Sequence, residues 1–494
     1  MQHSNVKMGA IRTCVVMLWG TGWCWAQPSI TLSPTSGPPT TRISVSGSGF
    51  APDIAVDIYF GTKDEALVST DGGGNFSKIV IRALGSARPG KHWVTGVARP
   101  TGTSAQAPFR VQTNWSEAGF LPSRGSFNPY ENVLSKETVG GTGLRWSYPT
   151  GLEVSSSPAV ANGVVYIGSA DRNVYALNAS TGALLWKYTT GGSVFSSPAV
   201  ANGVVYIGPS DNNVYALNAS TGALLWNYTI TTGLPVDSSP AVANGVLYIG
   251  CYDNNVCALN ASTGALQWSY TTGSAVSSPA VANGLVYVGS DDSNVYALAA
   301  STGVYQWSYT TGDAVDSSPA VANGVVYVGS DDSNVYALNA STGVKLWSYA
   351  TGGAVVSSPA VANGVVYVGS DDKNVYALNA STGAKLWSYT TGGIVYSSAV
   401  ANGVVYVGSG DNNVYALNAS TGAELWSYTT GSIVVSSPAV ANGVVYVGSY
   451  DSNVYAFGLT GVGGAEEPSE PPAPSSLKPD FSLRPSQAAG DGQD

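Results

Sequence analysis

Short apolar runs alternate with turn residues from residue 157 to residue 457, and one unit of about 40 residues recurs almost unchanged. In the first unit, runs at 157–161, 164–168, 174–178 and 183–189 are separated by Asn162-Gly163, Asp171-Arg172-Asn173 and Ser180-Thr181-Gly182. Asn-Gly accepts positive φ at both central positions of a tight turn and is a strong hairpin signal. Four short strands in about 40 residues are typical of one β-propeller blade. The pattern therefore predicts an all-β fold of repeated four-stranded blades.

The tryptophan of the fourth strand gives the number of blades. The third strand recurs out of phase with it, because residues 144–148 have no strands before them and residues 453–457 have no Trp strand after them. Joining these ends completes a blade and removes an open sheet edge, which is an aggregation hazard. We therefore predict an eight-bladed propeller over residues 144–457, closed by strands from both ends. The eight tryptophans are Trp146, Trp186, Trp226, Trp268, Trp307, Trp347, Trp387 and Trp426.

A motif recurs in register across the third and fourth strands, in the form Ala176-x-Asn178-x-x-Thr181-Gly182-x-x-x-Trp186. It resembles the tryptophan-docking repeat of pyrroloquinoline-quinone (PQQ) propellers of the quinoprotein alcohol dehydrogenase-like superfamily, with Asn where that motif usually has Asp. The resemblance covers residues 115–457, and Ala299 departs from it at the Asn position. It implies that each tryptophan packs between blades. Burial of one such side chain contributes on the order of several kcal/mol, so we expect all eight to be structural.

Three further regions flank the repeats. Residues 1–26 read as a secretory signal peptide, with Lys7 and Arg12 before an apolar run too short to span a bilayer. Residues 28–113 predict a small β-sandwich, with strands at 42–46, 56–60, 66–69, 76–81, 93–98 and 109–112. The motif Ser33-Pro34-x-Ser36-Gly37-Pro38, followed by 43–50, resembles immunoglobulin-like domains of the IPT/TIG type. Such a resemblance implies a spacer or adhesive module.

Two segments have no repeat pattern of their own. Residues 114–143, with the run Asn-Pro-Tyr-Glu-Asn-Val-Leu at 128–134, resemble the segment that leads into PQQ-type propellers. Residues 458–494 are rich in Gly, Pro, Glu and Ser, so they bury too little apolar surface to order themselves, and we predict a disordered tail. Within it, residues 480–483 are weakly similar to a further sandwich strand.

The net charge and the positions of the aspartates indicate a candidate binding face. Only 10% of residues are charged, and the net charge of −10 argues against nucleic acid as a partner. Aspartates fill the second-to-third-strand turns, which predicts an acidic face unless they only close Asx turns on their own backbone. The turn and loop aspartates are Asp171, Asp211, Asp253, Asp291, Asp292, Asp331, Asp332, Asp371, Asp372, Asp411 and Asp451, with Asp237, Asp313 and Asp316 between blades.

One position varies freely while the rest of the repeat does not. It lies just before the Ser-Ser of the innermost strand, at Ser155, Phe195, Asp237, Val276, Asp316, Val356, Tyr396 and Val435. A residue near the channel mouth that packing does not constrain is free to determine which ligand binds. Our candidates are Phe195, Asp237, Asp316 and Tyr396, against the alternative of drift at a solvated loop end.

Removal of the signal peptide leaves two cysteines, Cys251 and Cys257. In repeat register they replace Ser169 and Tyr175, which we expect to face each other across a hairpin. An oxidising compartment permits a disulfide there if the Cα atoms lie within about 7 Å. The alternative is two buried thiols.

Three functions remain open on the sequence. The first is a non-catalytic, secreted or envelope propeller that binds protein partners as a monomer. The second is the quinoprotein dehydrogenase that the resemblance implies, but those enzymes use adjacent cysteines and a calcium-bound carboxylate cluster, and no two cysteines are adjacent here. We therefore expect neither PQQ nor Ca²⁺, and no catalytic residue. The third is a multivalent glycan binder with one weak site per blade.

Overall fold

The computed structural model describes residues 27–230, 238–250, 254–460, 471–483 and, as backbone, 485–486. These residues are almost entirely strand and turn, with single 3₁₀ turns at Val139–Gly141 and Pro474–Ser476. Among them, no helix has the length and apolar character needed to cross a bilayer. The predicted signal peptide at 1–26, Asp237, Asp253 and Cys251 lie outside the described residues.

The N-terminal domain consists of two sheets around one apolar core. Strands β1, β3 and β6 form one sheet, and the other has the order β2-β8-β7-β4-β5-β42. Ile43, Val45, Ile58, Val94 and Phe109 are fully buried between them. Five of the six predicted strands lie within an observed strand, and the sixth, 109–112, extends one residue beyond β8; β1 and β2 were not predicted. The strands are β1 (Ser29–Ser33), β2 (Ser36–Gly37), β3 (Arg42–Ser48), β4 (Ala55–Phe60), β5 (Lys63–Ser69), β6 (Phe76–Arg82), β7 (Gly90–Ala98) and β8 (Ser104–Val111), joined by β42 (Pro485–Ser486).

The repeats fold into four-stranded antiparallel sheets, numbered here as repeat sheets 1 to 8 in chain order. Sheet 7 carries a fifth, parallel strand, β9 (Phe127–Asn128), from the lead-in segment. The strands are β11 (Ala159–Ala161), β12 (Val164–Gly168), β13 (Asn173–Asn178) and β14 (Leu184–Thr189) in sheet 1; β15 (Ala199–Ala201), β16 (Val204–Ile207), β17 (Asn213–Asn218) and β18 (Leu224–Thr229) in sheet 2; β19 (Ala241–Ala243), β20 (Val246–Gly250), β21 (Asn255–Asn260) and β22 (Leu266–Thr271) in sheet 3; β23 (Ala280–Ala282), β24 (Leu285–Ser290), β25 (Asn294–Ala299) and β26 (Tyr305–Thr310) in sheet 4; β27 (Ala320–Ala322), β28 (Val325–Gly329), β29 (Asn334–Asn339) and β30 (Lys345–Ala350) in sheet 5; β31 (Ala360–Ala362), β32 (Val365–Gly369), β33 (Asn374–Asn379) and β34 (Lys385–Thr390) in sheet 6; β35 (Val395–Ala401), β36 (Val404–Ser409), β37 (Asn413–Asn418) and β38 (Glu424–Thr429) in sheet 7; and β39 (Ala439–Ala441), β40 (Val444–Gly448), β41 (Asn453–Leu459) and β10 (Thr142–Pro149) in sheet 8.

Turn chemistry explains why the strands fall where the pattern placed them. Asn162 and Gly163 have φ values of 51° and 79°, and the same pair recurs at the equivalent turns. Both residues tolerate positive φ, so each tight hairpin between the first and second strands forms without strain. The second and third strands are buried on both faces, which explains their continuous apolar runs.

The two ends of the repeat region pair with each other. Strand β10 lies antiparallel to β41, with Trp146 opposite Ala456. Each innermost strand contacts the innermost strand of the next sheet, and β39 of sheet 8 contacts β11 of sheet 1. The predicted pairing between 144–148 and 453–457 is therefore present, and the innermost strands enclose a central channel.

The expectation that Ser169 and Tyr175 face each other across the hairpin is wrong. Tyr175 lies opposite Ile167, and the equivalent Cys257 lies opposite Ile249. The turn is tighter than we assumed. Ser169 N donates to Asn173 O, so Ser169 pairs with Asn173 and not with Tyr175, which follows two residues later. Cys257 is buried. Its pairing with Cys251 stays a prediction.

The tail prediction does not describe residues 471–483. These residues contact the N-terminal domain: Gln106 Nε2 donates to Pro472 O at 2.9 Å, and Asp480 N donates to Asp64 Oδ2 at 2.8 Å. Leu477 is buried. Residues 485–486 of this tail pair with the edge strand β5 of an existing sheet, and composition alone does not predict such pairing.

Candidate functional site

A ring of serine hydroxyls joins the entrances of the innermost strands. Ser157 N donates to Ser197 Oγ at 2.9 Å, and Ser437 N donates to Ser157 Oγ at 2.9 Å, so the bonding passes across the junction of sheets 8 and 1. Similar bonds join Ser197 to Ser239, Ser239 to Ser278, Ser318 to Ser358 and Ser358 to Ser397. The channel wall is thus fixed by neutral hydrogen bonds between neighbouring sheets.

The lead-in segment, residues 115–128, fills one end of this channel. It crosses the free edges of the innermost strands and bonds to the equivalent valine of every sheet. Those edge groups are thereby satisfied, as buried backbone groups must be. The bonds run from Val160 N to Trp115 O (2.6 Å), Val200 N to Ser116 O (2.7 Å), Val281 N to Pro122 O (2.7 Å), Val321 N to Ser123 O (2.8 Å), Val361 N to Gly125 O (2.8 Å), Val400 N to Ser126 O (2.8 Å) and Asn128 Nδ2 to Val440 O (2.9 Å), with Val242 N donating to the Glu117 carboxylate.

Two charged residues of the lead-in segment are buried inside the channel. Arg124 Nε donates to Pro279 O and its Nη2 donates to Ser239 O, both at 2.7 Å. Burial lowers the pKa of Arg124 to about 10, against the opposing charge of Glu117. Burial raises the pKa of Glu117 to about 8, although Arg124 and the Val242 amide act to lower it. Our sequence analysis did not identify this pair. The sequence signals it by a single Glu and a single Arg in a segment that is otherwise neutral and rich in Gly and Ser.

The run at 128–134 is explained by capping. Glu131 Oε1 accepts the backbone N–H groups of Val133 and Leu134, and its Oε2 accepts the N–H of Gly443 at 3.0 Å. Tyr130 N donates to Asn128 Oδ1 at 2.9 Å. These polar residues therefore hold the lead-in segment to sheet 8 and are structural.

Most turn aspartates are latches between neighbouring sheets. Asp171 Oδ2 accepts Tyr175 Oη and Gly151 N, each at 2.6 Å, and Gly151 belongs to the preceding connection. Burial alone raises the pKa of Asp171, but the hydrogen bonds from Tyr175, Gly151 and Asn173 outweigh it and leave the pKa lowered. The Asx-turn alternative is therefore the correct one for these residues, with a bond to the next sheet added. The same arrangement occurs at Asp211, Asp292, Asp332, Asp372, Asp411 and Asp451.

The remaining acids form an arc over sheets 4 to 6, called here the acidic arc: Asp291, Asp313, Asp316, Asp331 and Asp371. Asp316, at the variable position, shares a hydrogen bond with Asp291. Desolvation first, then that bond and the Asp291 charge, raise the pKa of Asp316 to about 6. Desolvation and the charges of Asp316, Asp313 and Asp371 also raise the pKa of Asp331.

The three candidate specificity residues that the structure describes do not line one pocket. Asp316 lines a pocket of about 350 Å³ with Asp291, Val276, Ser277 and Ser278. Phe195, 38% exposed, and the half-buried Tyr396 do not line that pocket. Desolvation first, and then the nearby Tyr450 and Asp371, raise the pKa of Tyr396, and Asp371 belongs to the acidic arc. Asp237 lies outside the described residues.

The repeat tryptophans join neighbouring sheets through their indole nitrogens. Trp186 Nε1 donates to Ala219 O of the next sheet at 2.9 Å, and Trp146, Trp226, Trp268, Trp307, Trp347 and Trp387 bond in the same way. Trp426 differs and packs edge-on against Phe457, with ring centroids 5.2 Å apart.

The described residues do not offer the carboxylate cluster that the resemblance implies for calcium. Within that part of the chain no three His, Cys, Asp or Glu side chains converge in a way that could hold a metal ion. Inside the channel, Arg124 is bonded to the backbone carbonyls of Pro279 and Ser239. We derive no step through either group.

The sheets, their closure and the motif define a β-propeller built from PQQ-type repeats. A family profile described as outer membrane protein assembly factor BamB matches residues 131–235, 229–316, 310–394 and 390–462. Because these matches cover well over half of the chain, the protein belongs to this family. No curated protein sequence gives a significant match.

Solved structures similar to this chain share its fold at low identity. Quinohemoprotein alcohol dehydrogenase ADHIIG from Pseudomonas putida HK5 is 20% identical with a TM-score of 0.62, covering 74% of this chain and 82% of its own. BamB from Moraxella catarrhalis is 19% identical with a TM-score of 0.57, covering 64% and 99%. The computationally designed protein Ika8 is 20% identical with a TM-score of 0.58, covering 63% and 97%. At this identity the likeness supports the fold alone.

Proposed function

We propose that this protein is a non-catalytic, eight-bladed propeller that binds protein partners, preceded by an immunoglobulin-like domain of the IPT/TIG type and delivered outside the cytoplasm by the segment 1–26. The family match carries this proposal, because the family is described as an assembly factor. The regular use of the tryptophans and latch aspartates in holding sheets together supports it, since they serve the scaffold.

The acidic arc is the surface on which we place the partner. It joins acids from three neighbouring sheets at one channel mouth, with Tyr396 beside it, while the lead-in segment fills the other end. A partner segment rich in Lys or Arg, with an apolar or aromatic side chain, matches this surface in charge and shape. Such binding is mainly electrostatic and therefore weakens with salt.

Dehydrogenase activity is the second candidate, because a quinohemoprotein dehydrogenase shares the fold. Multivalent glycan binding is the third, and the burial of the repeat Tyr and Trp rings speaks against it. Both appear in the experiment below as outcomes that overturn the main proposal.

The full-length chain is titrated with a labelled peptide of alternating Lys and Tyr, and with its Glu-Tyr counterpart. We expect binding of the Lys peptide alone, weaker by about tenfold or more when salt rises from low to several times physiological concentration. The variant Asp331→Asn/Asp371→Asn is expected to lose most of it. The matched control Asp53→Asn/Glu137→Gln, with the same change in charge, is expected to retain it.

Binding that is insensitive to salt, or that falls equally in both variants, would show that the acidic arc is not the partner surface. A separate assay adds PQQ, Ca²⁺ and an alcohol with an electron-accepting dye. Sustained dye reduction, or retention on immobilised glycans in place of the Lys peptide, would overturn the non-catalytic, protein-binding proposal.

A further inference from the structure

The N-terminal domain has a contact site built around Arg99. Asp57, only 1% exposed, holds Arg99 through Nε at 2.8 Å and Nη2 at 2.7 Å. A two-bond Arg–carboxylate pair fixes the guanidinium plane. Arg99 therefore presents a rigid flat cation beside strand β5, the outermost long strand of its sheet.

The C-terminal segment, residues 471–486, lies on this site. The Phe481 ring faces the Arg99 guanidinium at 5.4 Å from the ring centroid, and Arg99 Nη2 donates to Asp480 O at 3.4 Å. Asp64 of β5 accepts the Asp480 N–H at 2.8 Å, and Gln106 donates to Pro472 O at 2.9 Å. The contacts are a cation–π pair and backbone hydrogen bonds, the chemistry by which domains capture extended peptides.

The segment also covers an open sheet edge. Strand β42 runs parallel to β5, with Pro485 opposite Leu67 and Ser486 opposite Val68. Without it, β5 is the edge of the sheet, and an open edge is a template for pairing with another chain. Leu477 is buried, but none of the described side chains of 471–483 belongs to the core cluster of the N-terminal domain, so this part of the segment packs on the domain surface.

We infer that the N-terminal domain carries a peptide-binding site for an extended segment containing an Asp-Phe pair, and that residues 471–486 of the same chain occupy it. This site is separate from the acidic arc, so its test does not depend on the function proposed above. Because the segment is tethered to the same chain, its effective concentration at the site is about 1 mM.

The first test uses the full-length chain and measures amide hydrogen exchange in β5. Phe481→Ala removes the ring that faces Arg99 and is expected to speed exchange of β5 severalfold. Phe481→Trp keeps an aromatic face and is expected to leave the exchange close to that of the wild type, since Trp is the best cation–π partner. The outer strand β14 is the internal reference. Equal exchange of β5 in all three proteins would refute the site.

The second test adds the labelled peptide 471–486 to a chain that ends at Thr460. That chain keeps every buried core cluster, and an unchanged melting temperature of the propeller verifies its fold. We expect saturable binding by the shortened chain and at least tenfold weaker binding by the full-length chain, whose own segment competes. A folded shortened chain that binds no peptide would overturn the inference. A full-length dimer that becomes monomeric on shortening would overturn the assignment in cis.

Discussion

Trp186 and Ala219 join two neighbouring sheets through one hydrogen bond, from the indole Nε1 to the carbonyl oxygen at 2.9 Å. The same oxygen accepts Tyr166 Oη at 3.1 Å. One carbonyl thus receives the fourth-strand Trp and the second-strand Tyr of the preceding sheet, and the arrangement recurs around the ring. Because these bonds cross between sheets, substitutions in them test how strongly the propeller depends on each junction.

Gly222 is the residue on which the Trp186 ring rests. A Cβ placed there lies 2.7 Å from Trp186 Cε3, and φ is +72°. Gly203 also has a positive φ, +78°, but a Cβ there meets nothing within 4 Å. We expect Gly203→Ala to cost about 1–2 kcal/mol for the backbone alone. Gly222→Ala is expected to cost a further ~1–3 kcal/mol because the indole must move.

Chemical denaturation of the two glycine variants measures the difference. Both substitutions add the same methyl group at a left-handed position, so the backbone term cancels. Equal destabilisation would mean that the indole is not packed against Gly222 in solution.

Tyr406 marks the junction of sheets 7 and 8, where the repeated bond is absent. Tyr367 Oη donates to Ala419 O at 3.1 Å, but the Tyr406 hydroxyl is buried without a hydrogen-bond partner among the described residues. The equivalent carbonyl, Leu459 O, instead accepts Arg145 Nη2 at 3.2 Å. The junction between sheets 7 and 8 therefore differs from the others in its bonding.

Substitution by phenylalanine distinguishes the contributions of these two tyrosine hydroxyls to stability. Tyr367→Phe is expected to lower the free energy of unfolding by about 0.5–1.5 kcal/mol, the usual net contribution of one hydrogen bond. Tyr406→Phe removes a buried, unsatisfied hydroxyl and is expected to be neutral or stabilising. Thermal and denaturant unfolding of the two variants measures these changes in the free energy of unfolding. An equal loss of stability in Tyr406→Phe and Tyr367→Phe would contradict the unpaired hydroxyl of Tyr406.

Glu117 predicts a pH dependence of stability. Its pKa rises from about 4.3 in an unfolded chain to about 8 in the channel, because of burial. Between these values the folded state holds a proton that the unfolded state has released, so stability falls as pH rises. The slope is at most about 1.4 kcal/mol per pH unit.

The variant Glu117→Gln removes this titration and keeps an acceptor for the Val242 amide. Unfolding free energies from pH 5 to pH 9 are expected to fall with pH in the wild type and to be flatter in the variant. Glu137→Gln, a fully exposed acid in the same region, is the control and is expected to follow the wild type. Parallel curves for wild type and Glu117→Gln would place the Glu117 carboxyl in contact with water.

Local pattern determined the repeats, the turns and the pairing of 144–148 with 453–457. Asn162-Gly163 fixes a hairpin within a few residues, and the Trp and Asn series give the register directly, so neighbouring strands need no distant information. The role of the tryptophans between sheets was implied by the family resemblance of the motif around Trp186, and Trp186 Nε1 does donate to Ala219 O of the next sheet.

Only the tertiary structure decided which acids are latches and which belong to the acidic arc. Asp291 and Asp292 are adjacent in the chain, yet Asp292 accepts Tyr296 Oη and Gly273 N while Asp291 meets Asp316 of the next sheet. The burial of Arg124 depends on a carbonyl at Pro279, 155 residues away, and the site for 471–486 joins the two ends of the chain. Contacts between residues so distant in sequence leave no local period or turn signal, because they form only once the sheets have closed around the channel.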